Sequence, residues 1–181
     1  SKITPRQAIG VFAALSPNNG YGTNLRDVAR AATAHKTGIH PEGFKCSSYN
    51  DGRRKAWKIL DGWDPAIVLP APKKTWAFFH NVADPDKSKE VTVDGHMVGC
   101  WAGKYLRMDE ARITPREYLE IAAGVWEVSR LVGVRPALRV QAVLWLTWRR
   151  MHKVLTPAQG KLWSTEWETV EVAKCENSVG R

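Results

Sequence analysis

The tetrapeptide Thr4-Pro5-Arg6-Gln7 constrains this chain more than any other feature, because it joins three helix-start devices in four residues. A Thr hydroxyl can accept from the N3 amide and a Gln at N3 can accept from the Thr amide. Pro at N1 fits helical φ while giving up an amide that has no partner in a helix anyway. Ala8, Ile9, Val11, Phe12, Ala14 and Leu15 follow directly, so a buried helix opens here and stops at Ser16-Pro17-Asn18-Asn19-Gly20. The device returns as Thr114-Pro115-Arg116-Glu117 and predicts a helix to about Leu131. No wider periodicity accompanies the shared Ile-Thr-Pro-Arg, so one capping solution is used twice and no domain is duplicated.

Between these markers, Asn24 is placed to cap a helix over 25–35 with Leu25, Val28, Ala29 and Ala32 on one face. Residues 38–48 read as loop. The segment NDGRRKAWKIL over 50–60 is a basic helix with Ala56, Trp57, Ile59 and Leu60 inside. Its outer residues Arg53, Arg54, Lys55 and Lys58 are either a solvated face or phosphate contacts. Gly62 and Pro65 break the chain, a helix begins near Lys73, and Val91 to His96 is an extended run entering another helix. A last long helix over 136–154 carries Val140, Val143, Leu144, Thr147, Trp148 and Met151 as a buried stripe, with Arg149, Arg150, His152 and Lys153 crowding its end. Alternation over 163–176 suggests short strands or an acidic flap. With 181 residues, 44% of them hydrophobic, and no long linker, the expectation is a single mainly α domain over 1–181 with a short irregular or β C-terminal segment.

Charge narrows the partners. Lys and Arg total 27 against 18 acidic residues, a net +9 that favours polyanions, nucleic acid first. The nine Trp serve core packing or base stacking. Cys46, Cys100 and Cys175 are widely spaced and odd in number, which suits reduced thiols in a cytoplasmic compartment. The apolar runs are too short for a membrane span, and SKITPRQ lacks a secretory layout, so no membrane partner is expected. His35, His40, His80, His96 and His152 form no close ligand motif, so no metal and no cofactor are expected.

Four pieces, in order, resemble the helix-hairpin-helix DNA glycosylase superfamily that includes endonuclease III, most strongly over 8–105. They are Ala13-Ala14-Leu15-Ser16-Pro17-Asn18-Asn19, then Tyr49-Asn50 with Lys55-Ala56, then Leu69-Pro70-Ala71-Pro72-Lys73-Lys74-Thr75-Trp76-Ala77, then Val93-Asp94-Gly95-His96. The third is a degenerate hairpin, with Ala71 and Pro72 where the family has glycines that present amides to a phosphate. The family's iron–sulfur cysteines are absent, so no metal cluster is implied. The likeness is to a divergent member, of the kind bacteriophages encode, working on DNA in a bacterial or infected-host cytoplasm, with 106–155 as additional packing helices and 156–181 as an extension.

The resemblance implies chemistry for particular residues. Breaking an N-glycosidic bond develops positive charge on the sugar, which a carboxylate at the Asp94 position would stabilise. Asp94 can also cap the following helix, and the two roles are compatible. Lys74, or less fittingly Lys73, stands where bifunctional members carry the amine that forms a Schiff base. Asn18, Asn19 and Tyr21 lie where relatives place pocket or wedge groups for a flipped base. Asn81 and His96 are further substrate-binding candidates, with His96 more a hydrogen-bonding residue than a base. Arg53, Arg54, Lys55, Lys58, Lys73, Arg149 and Arg150 are candidates for DNA backbone contact. Two other readings stand beside base excision: an enzyme that hypermodifies a base within DNA on the same scaffold, and a non-catalytic DNA-binding protein. The base recognised, the strand preference and the oligomeric state are left open.

Overall fold

The structure, a computed structural model, describes residues 3–107 and 110–152. The expected C-terminal extension and Lys153 lie outside the described residues. Those described are mainly helical: eight α-helices and one short 3-10 turn, with no strand among them.

Both capping boxes form. Thr4 accepts from the Gln7 amide and Gln7 accepts from the Thr4 amide at the start of α1 (Pro5–Leu15). The same exchange between Thr114 and Glu117 opens α7 (Pro115–Leu131). Helix α1 is the axis of the N-terminal half, with Val11, Ala13, Ala14 and Leu15 buried. It packs against α2 (Tyr21–Lys36), α3 (Asn50–Leu60), the short α4 (Pro65–Val68) and α5 (Lys74–Ala83). Two glycines permit these close approaches. A Cβ on Gly10 would lie 2.5 Å from Pro65 Cγ, and one on Gly52 would lie 2.6 Å from the Ala14 carbonyl oxygen.

Helix α2 differs from its sequence reading. It starts at Tyr21 with Gly20 as N-cap, and Asn24 is no cap but a buried residue of its second turn. The expected inner face is also displaced: Leu25 and Ala29 are exposed, and Asn24, Asp27, Ala31 and Ala34 point inward. The inward polar groups are partnered except for Asn24 Oδ1, which is buried without a hydrogen bond among the described residues. Asn24 Nδ2 donates to the Phe12 carbonyl, and Asp27 accepts from Asn19 and Arg30. Hydrogen bonding decided the face here, where apolar spacing pointed elsewhere.

The second half holds α6 (Gly95–Ala102), α7 and α8 (Ala137–Met151) around a separate apolar cluster that includes Val91, Val93, Met97, Ile121, Val125 and Val140. The stripe expected on α8 is narrower than the spacing suggests. Ala137, Val140 and Trp148 are buried and Leu144 and Trp145 partly so, while Val143, Thr147 and Met151 face outward. Among the described helices, α6 and α7 make the main contacts with α8.

The chain between α5 and α6 joins the two clusters and is held by side chains from both. Asn81 of α5 donates to Thr92 Oγ1 and accepts from Ser88 Oγ. From α7, Tyr118 donates to the Val91 carbonyl and accepts from the Val93 amide, and Trp126 Nε1 donates to the Lys89 carbonyl. Arg139 of α8 pairs with Asp86. This segment ends at Asp94, so its fixing is what positions the site. No described helix is long and apolar enough to cross a membrane.

Candidate active site

Asp94 is the N-cap of α6. Its Oδ1 accepts from the His96 and Met97 amides, each at 3.0 Å, and its Oδ2 accepts from Trp145 Nε1 at 2.8 Å. A carboxylate has about four lone-pair positions over its two oxygens. Three are taken by described residues, and among these no group fills the remaining acceptor position at Oδ2. The groups that hold it are two amides and an indole, none able to give up a proton at ordinary pH. The carboxylate is therefore fixed in place and suited to act through its charge.

Cations and a ring gather at the same point. The Arg149 guanidinium stacks over the Trp145 ring at 4.3 Å, and Trp145 meets the His96 ring edge-on at 6.0 Å. Burial pushes the His96 imidazole below its ordinary range. Asp94 opposes that push, and the positive charges of Arg149 and Lys74 add to it. The His96 imidazole thus feels the charges of Asp94, Arg149 and Lys74, while no hydrogen bond or ion pair among the described residues joins Lys74 to Asp94. Arg149 is itself partly buried, which works against its charge, while Asp94 supports it.

Lys74 is the first residue of α5 and half-buried, and Lys73 is its exposed N-cap, which lends no side-chain bond to the helix. Both follow the turn between α4 and α5, whose Leu69 is fully buried.

Other candidates are committed elsewhere. Both ends of the Asn81 amide are used within the protein. Asn19 donates to Asp27 and to the Leu15 carbonyl, while its Oδ1 is buried without a partner. Asn18 takes a left-handed φ of 58° in the exposed turn after α1, and Tyr21 is exposed, edge-on to Phe12. The basic face of α3 is largely tied down: Arg53 bonds the Phe44 carbonyl and Asn50, Arg54 pairs with Glu42, and Lys55 with Asp51. Lys58 and Arg150 are exposed.

Trp145 was not among the residues read as functional. It lies 51 positions from Asp94, and its local signal was only an aromatic residue one turn before Arg149. Tyr118 and Trp126 were missed for the same reason, their partners being backbone groups of a distant loop. Among the described residues no three His, Cys, Asp or Glu side chains converge as metal ligands.

No curated protein and no solved structure matches the chain. A family does match, over residues 1–152, which takes in every element from α1 to α8. The chain belongs to that family, DUF7178, a family of unknown function.

Proposed function

We propose that this protein is a DNA glycosylase-like enzyme that cleaves the N-glycosidic bond of a modified or damaged base after flipping it from the stack. The observation that carries the reading is the Asp94 carboxylate, anchored by three donors with one acceptor position that no described residue fills, in reach of a ring that also feels Lys74 and Arg149. As the leaving base draws away the bonding electrons, the sugar gains positive charge, and a fixed anion beside it lowers the barrier without needing to take a proton. A base cannot be attacked within a stacked duplex, so the reading includes flipping. The net charge of +9 supports a polyanionic substrate. The likeness to the helix-hairpin-helix glycosylases supports the same assignment, with α4, the 69–73 turn and α5 in the hairpin's place.

Lys74 is the proposed Schiff-base nucleophile. Its neutral amine would attack the anomeric carbon as the base leaves with the bonding pair and takes up a proton. The bound amine then loses a proton and the C1′–O4′ bond opens, O4′ being protonated, to give an iminium that borohydride reduces. Arg149 and Lys73 are suited to hold flanking phosphates.

Incubating the protein with DNAs carrying modified bases and analysing released bases by mass spectrometry tests the reading. Release abolished in Asp94→Asn supports excision, and a borohydride-trapped adduct lost in Lys74→Ala supports the nucleophile. DNA bound without any base released from any substrate would leave the non-catalytic reading in its place, and a substituted base still attached to its sugar would favour hypermodification.

A further inference from the structure

A pocket of about 260 Å³ opens between the start of α5, residues 89–91 and the first half of α7. Asp94, His96, Trp145 and Arg149 do not line it. Its walls combine apolar residues with three kinds of group that can recognise a ligand. Trp76 and Trp126 supply flat aromatic surface, and Ala77, Val91 and Ala122 an apolar floor. Trp126 is steadied by its bond to the Lys89 carbonyl and by Arg135 stacked on its ring at 5.7 Å. Lys73 and Lys89 bring two exposed ammonium groups. Glu90 brings a partly buried carboxyl, whose burial pushes it above the usual carboxylate range while His80 draws it back.

An apolar guest would leave both lysines and Glu90 unanswered, and a cation would meet two like charges. A flat ring bearing an anion answers all three groups. It stacks on indole, its charge pairs with ammonium, and its amino or imino edge bonds a carboxyl. We propose that this pocket binds a nucleotide unit, with the base against Trp76 and Trp126, the phosphate at Lys73 and Lys89, and the polar edge of the base at Glu90. The unit is either a free mononucleotide or one residue of a single strand. The assignment stands on the pocket's own groups and does not depend on base excision at Asp94.

Calorimetric titration of the full chain with 2′-deoxyadenosine 5′-monophosphate, with deoxyadenosine, and with single-stranded oligodeoxyadenylate tests this. The monophosphate should bind at least about tenfold more tightly than the nucleoside, reflecting its charge-assisted bonds. Ala123→Phe, which fills the pocket from an exposed position on α7, should abolish binding while leaving the helical circular dichroism unchanged. Asp94→Asn should leave it intact. Monophosphate binding lost in Ala123→Phe supports a free nucleotide as occupant, and oligonucleotide binding alone, lost in that variant, supports a strand residue. The proposal is overturned if neither probe binds, if Ala123→Phe binds as the wild type does, if the nucleoside binds as tightly as the monophosphate, or if Asp94→Asn abolishes binding.

Discussion

Tyr118 shows how one side chain can fix the approach to a site it does not enter. Its hydroxyl donates to the Val91 carbonyl and accepts from the Val93 amide, so two backbone groups of the segment leading to Asp94 depend on it. Tyr118→Phe is expected to cost about 1–3 kcal/mol in urea unfolding at neutral pH, because it leaves buried backbone groups unpaired. Burial also pushes the phenol up to about 12. Below the unfolded value near 10 both states keep the proton. Between that value and about 12 the unfolded chain loses its proton first, so stability should fall as pH rises through this window. The Phe variant should lack that part of the alkaline fall. At Asp94, Trp145→Phe removes the one side-chain donor on the carboxylate among the described residues. It should slow base release several-fold while retaining fold and DNA affinity, which separate measurements of rate and binding would check.

At the scale of elements, the legible helices were those whose ends are written in side chains. The bounds of α1 and α7 follow from Thr-Pro starts, and those of α3 from its apolar spacing. The start of α2 was not legible because its N-cap is Gly20, which offers no side-chain signal. Its inner face was misread because Asn24 and Asp27 are buried through bonds to residues the local sequence does not announce. The Asp94 cap was legible in Val93-Asp94-Gly95-His96, whereas Trp145 was not, because its role exists only once α8 packs on α6. The α7 cap makes a testable element. Thr114→Ala should cost about 1 kcal/mol. Bonds from the Thr114 amide and hydroxyl hold the Glu117 carboxyl below its usual range. Its contribution is therefore present above the unfolded carboxylate value and lost as pH falls through the folded one. Melting temperatures measured between pH 6 and pH 3 should drop less steeply for Glu117→Gln than for the wild type.

Across the whole molecule, two helical clusters meet along residues 84–94, and the candidate site lies where that segment enters α6. Lys74 belongs to α5 in the first half and Trp145 and Arg149 to α8 in the second, so the proposed site would draw on both halves. The basic excess is spread unevenly in its availability. Arg53, Arg54 and Lys55 are engaged within the protein, while Lys58 and Lys73 are exposed. DNA affinity should fall linearly with the logarithm of salt concentration, and Lys73→Ala should reduce the magnitude of that slope by about 1. A slope unchanged by that substitution would remove Lys73 from the interface.

Base release from modified DNA by the wild type and by Asp94→Asn decides whether Asp94 acts by charge on a sugar. The Asn side chain is nearly isosteric and its Oδ1 can still accept from the α6 amides, with only the Trp145 Nε1 bond at Oδ2 lost, so the variant should fold and bind DNA. Release should fall by at least about a hundredfold in the variant, the scale of a lost electrostatic contact in a transition state. Release at the wild-type rate by a folded Asp94→Asn protein, or no release by the wild type from any modified DNA, would contradict that role.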